Sequence, residues 1–196
     1  MKSKAYLVVF DGFADWEPAL ALREIRKSGK FDVVTAGFSD KPVTTMGGLK
    51  IIPEITVGGV RPTEAAIIIV PGGDTWERES PRELIDLLHR LQEDDVPIAA
   101  ICGATLAVAR AGLTRGRSHT SNFKGYLKAM VPGYSDEDFY VDELAVTDQN
   151  LITASGLGSV EFGREVIKRL NLYSEGETQE WYAMFKSGVI PARHIV

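Results

Sequence analysis

The apolar patterning of this sequence predicts a three-layer α/β sandwich: a mostly parallel sheet with helices on both faces and a small β-hairpin. Two observations carry the prediction. First, Ala5–Phe10, Ala65–Val70 and Pro97–Ile101 are short, continuous apolar runs, the pattern of strands buried on both faces. Second, segments with apolar residues at helical spacing separate these runs, and such alternation builds parallel sheets. No repeat, low-complexity tract or linker interrupts residues 1–196, so a single domain is expected. With 44% hydrophobic and 25% charged residues, the chain has an ordinary globular composition. At this size folding buries about 70% of the unfolded surface, so one core suffices without staples.

Each element has a local reason. Asp11-Gly12 breaks the first strand, and Leu20, Leu22 and Ile25 then mark a helix that Gly29 can cap. Phe31–Thr35 reads as the second strand. Val43–Met46 and Leu49–Ile52, joined at Gly47-Gly48, read as the hairpin. Ala65–Val70 stops at Pro71-Gly72-Gly73. Pro81 opens a helix striped by Leu84, Leu87, Leu88 and Leu91. Pro97–Ile101 runs into Cys102-Gly103 and a small-residue helix reaching Gly112. Leu144–Thr147 and Leu151–Ala154 flank a turn composition at Asp148-Gln149-Asn150. Ser159 can cap a helix through Leu170, and Glu177–Lys186 forms the last helix, ending at Gly188. The expected arrangement is flavodoxin-like.

Charge, cysteine and hydropathy exclude several classes. The net charge is −5 and no run of five or six like charges occurs, which disfavours nucleic acid as a partner. Neither the short apolar runs nor the N-terminal stretch ending at Asp11 suits a membrane span or a signal peptide, so a cytoplasmic location is expected. The single cysteine rules out an intrachain disulfide. No Cys, His or carboxylate cluster has metal-ligand spacing, and no cofactor is expected. Gly156-Leu-Gly158 is only a weak part of a dinucleotide fingerprint.

The most informative segment is Ile98–Ala109, where a buried strand runs straight into Cys102 and a helix follows at once. Ala100, Gly103 and Ala104 keep the turn free of bulk, as a nucleophile elbow requires. The geometry places Cys102 at the carboxyl edge of the sheet, where open α/β folds bind ligands. A helix N-terminus there would lower a thiol pKa from about 8.5. The alternative is a small buried hydrophobe.

The elbow Ala100-Ile-Cys-Gly-Ala, the turn Val70-Pro-Gly-Gly-Asp and the segment Asp11-Gly-Phe-Ala-Asp-Trp-Glu together resemble the superfamily of the parkinsonism-associated deglycase and the PfpI peptidase, itself related to class I glutamine amidotransferase domains. The resemblance spans roughly residues 5–170. It implies a cysteine nucleophile at Cys102, a partner carboxyl at Glu17 and a backbone amide at Gly73 facing the sulfur; it also implies a homodimer. A carboxyl held against a thiolate keeps its proton, because two anions in contact repel. Glu17 could instead be an exposed first-turn acid, and Gly73 and Gly103 could be oxyanion donors or merely turn glycines.

A base for the sulfur is harder to find. His89 lies off the leucine stripe and reads as a solvated surface residue; His194 lies near the C-terminus. Several members of the family carry a histidine where Asn122 stands here. His119 is three residues earlier, on the opposite face of a strand, so it is not a direct replacement, although it stays a candidate site residue. Asn122 can donate to a substrate or to sulfur but cannot take a proton. The His-x-Glu element of glutaminases is absent, which disfavours that activity. The expectation is a cysteine-dependent enzyme acting on the carbonyl or acyl carbon of a small molecule, such as a reactive aldehyde, glycated amine or small amide. The alternative is a cysteine-based redox sensor in the stress response. Loops near Trp76 and Phe123 are expected to shape the pocket.

Overall fold

The structure, a computed structural model, describes residues 3–191. Seven strands form one sheet in the order β5-β2-β1-β6-β7-β9-β8. They are β1 (Lys4–Val9), β2 (Asp32–Gly37), β5 (Ile55–Thr56), β6 (Ala65–Val70), β7 (Ile98–Ile101), β8 (Ala145–Asp148) and β9 (Leu151–Ala154). All neighbours run parallel except β8, which closes the edge antiparallel to β9. Strands β3 (Val43–Thr44) and β4 (Lys50–Ile51) form the separate hairpin.

Helices cover the sheet in two groups. Helices α1 (Ala19–Ser28), α6 (Ser159–Arg169) and α7 (Glu175–Ser187) pack on one another, as do α2 (Thr75–Arg78), α3 (Arg82–Glu93), α4 (Ala104–Arg110) and α5 (Lys124–Met130). From β1 the chain crosses outward through α1 to β2, whereas from β6 it crosses the other way through α3 to β7. Right-handed crossovers in opposite directions put their helices on opposite faces and open a crevice between β1 and β6. Val8, Val9, Ile67–Val70 and Ile98–Ile101 are fully buried between the layers.

The two-residue strand β5 and the short helices α2 and α5 escape sequence patterning, being too brief to show a period. Strand β2 lies one to two residues later than predicted, and the hairpin arms are shorter. Helix α6 has Gly158, not Ser159, at its N-cap and no side-chain cap there. Helix α7 begins before the predicted Glu177, because Ser174 and Glu177 form a reciprocal capping box. Gly29 caps α1 and Gly188 caps α7, both left-handed as read from the sequence.

The hairpin has a positional role. Asp11 Oδ1 accepts Thr44 N–H at 2.8 Å, and Asp15 Oδ1 accepts Gly47 N–H at 2.9 Å. Met46 N–H donates to the Phe13 carbonyl at 2.8 Å. These bonds pin the loop between β1 and α1, which carries Glu17.

Candidate active site

Three strand ends converge at the crevice: Glu17 follows β1, Gly72 follows β6 and Cys102 follows β7. Cys102 has φ +60°, a left-handed conformation rare for a residue with a side chain, as an elbow demands. Its amide donates to Ala154 O at 2.9 Å, anchoring the turn to β9. Its carbonyl accepts the Thr105 hydroxyl at 2.6 Å, and Ser121 Oγ lies 2.6 Å from that hydroxyl. Thr105 has only one hydroxyl proton, so Ser121 donates to it.

Glu17 is buried, at 1% exposure, which rejects the exposed-acid alternative. Gly72 N–H donates to its Oε2 at 2.6 Å, and the carboxyl hydrogen-bonds the Cys102 thiol. Burial pushes Glu17 up to about 7, against the Gly72 and Cys102 hydrogen bonds. Burial, and then the Glu17 charge, push the Cys102 thiol up to about 11, with Asn122 and Gly103 as donors pulling the other way. The expected lowering of the thiol pKa by the helix end is therefore corrected. A seven-residue helix cannot outweigh the removal of sulfur from water beside a carboxylate. Between the two steps the pair holds one proton, with backbone or amide donors available to whichever partner is ionised.

Asn122 reaches the sulfur. Its Nδ2 lies 3.5 Å from Sγ, while Oδ1 accepts Gly156 N–H at 3.0 Å and so fixes which way the amide faces. His119 does not. Its Nδ1 donates to the Arg117 carbonyl at 2.7 Å, so Nε2 accepts the Tyr134 hydroxyl at 2.6 Å. Burial lowers its pKa and keeps the ring neutral. His89 is exposed, as expected, but also bonds the Ala111 carbonyl at 2.8 Å, tying α3 to the end of α4. His194 lies outside the described residues.

The glycines divide differently from expectation. Gly72, not singled out in the sequence, carries the amide that holds Glu17, and a Cβ there would lie 2.7 Å from Cys102 Cβ. A Cβ on Gly73 would lie 2.7 Å from the Phe10 ring, and one on Gly103 would lie 3.0 Å from Gly73 O. Gly156, read from sequence as part of a weak dinucleotide pattern, borders the thiol instead: its Cβ would sit 2.8 Å from Sγ. Trp76 is fully buried in an edge-on contact with Phe10, so it forms core beneath the site and lines no pocket. Phe123 is exposed. Among the described residues no group of three or more His, Cys, Asp or Glu could hold a metal, and no helix is long and apolar enough to cross a membrane.

A strained cysteine on a strand–helix elbow, facing a buried carboxyl at the switch point of a parallel sheet, defines a class of α/β proteins built around one thiol. Residues 3–169 match the DJ-1/PfpI family, and the chain belongs to it. It is 36% identical over 191 residues to the "Uncharacterized protease YoaZ" of Bacillus subtilis, spanning 94% of this chain and 91% of that one. The crystal structure of a thiJ/pfpI family protein from Bacillus anthracis superposes with TM-score 0.90 at 35% identity, covering 96% of this chain and 92% of that one. The "Glutathione-independent glyoxalase DJR-1.2" of Caenorhabditis elegans is 28% identical, covering 72% of this chain and 75% of its own.

Proposed function

We propose that this protein is a cysteine-dependent enzyme that adds the Cys102 thiol to the carbonyl carbon of a small electrophile, with Glu17 as the proton acceptor. One observation carries the reading: the sulfur, at a strained elbow, hydrogen-bonds a buried carboxyl whose pKa is raised to about 7. A general base works best with a pKa near the operating pH, and burial gives Glu17 that value where the site, among the described residues, offers no histidine. As Sγ bonds the carbonyl carbon, its proton passes to Glu17 and the carbonyl π pair moves to oxygen. The resulting oxyanion accepts from nearby amides, with Gly73 and Gly103 as the candidate donors. Glu17 then returns the proton. The names of the relatives, a protease and a glyoxalase, both describe chemistry at a carbonyl carbon. Aldehydes and α-dicarbonyls are the favoured substrates, because an amide leaving group wants a strong acid and the site has one carboxyl to serve both steps. Turnover of a panel of neutral aldehydes, esters and amides is the test. Turnover that disappears in Cys102→Ser is expected, and a panel untouched by the wild-type protein rejects the reading.

A second reading, a redox sensor, is favoured by one feature: the polar side chain beside Sγ that stands where the family often has histidine is Asn122. Each equivalent of peroxide would transfer one oxygen to sulfur and leave as water, giving sulfenic and then sulfinic acid. Mass spectrometry after mild peroxide separates the two readings. Selective gain of two oxygens at Cys102 without catalytic turnover supports sensing.

A further inference from the structure

Glu24 is completely buried, at 0% exposure, yet the Cys102 chemistry does not use it. Burial pushes its carboxyl up, but hydrogen bonds from Tyr173 and Arg23 outweigh it and hold the group below the usual carboxylate range. The two side chains that Glu24 fastens both line a cavity of about 460 Å³. That volume lies in the range of small-molecule sites. Two helices supply its walls. Arg23 and Lys27, one turn apart, line it from α1, while Glu180, Trp181 and Met184 share a stripe of α7. Lys27 Nζ stands 5.7 Å from the centroid of the Tyr173 ring, and the Arg23 guanidinium 6.0 Å from that of Phe185. Glu177 also lines the cavity, but its carboxylate serves the α7 capping box. One wall is thus cationic, the other carries a carboxylate, and Tyr173, Trp181 and Met184 supply apolar surface. A ligand with only negative charge would meet Glu180, and one with only positive charge would meet Arg23 and Lys27.

We propose that this cleft between α1 and α7 binds a zwitterionic molecule with an apolar body, of which a free aromatic amino acid is the simplest example. The ligand carboxylate accepts from Lys27 and Arg23. Arg23 holds Glu24 through Nη1, and its guanidinium fork carries further N–H donors. The ligand ammonium donates to Glu180. That carboxylate keeps its contacts within the protein, and its two oxygens offer about four lone-pair sites in all. The apolar body lies on Tyr173, Trp181 and Met184. Glu24 acts as a positioning residue, fixing Arg23 and Tyr173 before the ligand arrives and so lowering the cost of binding. The site is independent of the chemistry proposed for Cys102.

Titration calorimetry on the full chain with phenylalanine, 3-phenylpropionate and phenethylamine tests the site. Phenylalanine should bind saturably, and each analogue, lacking one charge, should bind about tenfold more weakly, the usual loss for one charge-assisted hydrogen bond. Lys27→Gln should weaken phenylalanine and 3-phenylpropionate several-fold and leave phenethylamine unchanged. Glu180→Gln should weaken phenylalanine and phenethylamine and leave 3-phenylpropionate unchanged. Lys27 is exposed and Glu180 half-buried, so neither substitution empties the core. Both variants should keep a cooperative melt and the wild-type alkylation of Cys102. No saturable heat with millimolar phenylalanine overturns the proposal. So does an analogue that binds as tightly as phenylalanine, or phenylalanine binding that neither substitution changes.

Discussion

Glu17 and Cys102 hold one another in a state neither would adopt alone. The carboxyl, taken out of water, rises to about 7, and its charge helps to push the facing thiol up to about 11. The pair therefore loses its first proton near neutrality, although a free cysteine and a free glutamate would do so far apart. The site is a proton-sharing unit, and the chemistry proposed for the sulfur depends on its partner.

Alkylation of Cys102 by iodoacetamide should rise with pH through a limb with midpoint about 7, marking the first proton lost by the pair. In Glu17→Gln that limb should vanish. Rates measured from pH 5 to 10 check it, and a limb that survives the substitution removes Glu17 from the proton transfer.

Glu17 also has a cost for folding. Its folded pKa lies above the unfolded value of 4.5, so the native state binds the extra proton between 4.5 and about 7. Stability from this group is therefore intact below 4.5 and declines as pH rises to about 7. That shift corresponds to about 3 kcal/mol. Glu17→Gln should be more stable than the wild type at pH 8 and similar at pH 4.5, as thermal melts at both pH values would show.

Gly156→Ala should injure the site without unfolding the protein. The added methyl would sit 2.8 Å from Sγ and 3.1 Å from Cys102 Cβ, so the thiol must move. Overpacking of this kind costs about 1–3 kcal/mol. Alkylation and any turnover should drop by more than about tenfold, with a cooperative melt retained.

Asn122→Ala removes a donor to the sulfur and leaves the Gly156 amide without its side-chain partner. Charge-assisted hydrogen bonds are worth about 1.5–3 kcal/mol. Alkylation should therefore slow by about tenfold or more. Asn122→Asp should slow it further, because the added charge would face the sulfur and disfavour the thiolate.

His119 should matter for stability alone. Its folded pKa lies below 6.5, so the unfolded chain binds more protons and stability rises with pH through that value. It is lost as pH falls below about 6.5. His119→Phe should flatten this dependence and leave alkylation unchanged. A changed alkylation profile would return the histidine to the site.

The strands β1, β6 and β7 were legible because continuous apolar runs between turn residues have few other solutions. Cys102 was legible as well, because small residues around a thiol at the end of a buried strand leave an elbow as the natural geometry. The division between Gly72 and Gly73 was not. Both glycines satisfy the same turn, and which amide faces Glu17 depends on where β6 ends relative to β1. Gly156 was equally hidden, since its partner Asn122 is 34 residues away and shares no local pattern with it.

Local covalent and hydrophobic rules alone determined the layered architecture and the elbow, while the candidate carboxyl followed from the family resemblance. Only the packed sheet decided the charge states. A pKa depends on how much water and which donors surround a group, and those surroundings come from strand ends far apart in the chain. For the same reason the helix-end argument for an acidic thiol failed: it weighed the turn that follows Cys102 but not the burial of the sulfur, and it took the facing carboxyl to keep its proton.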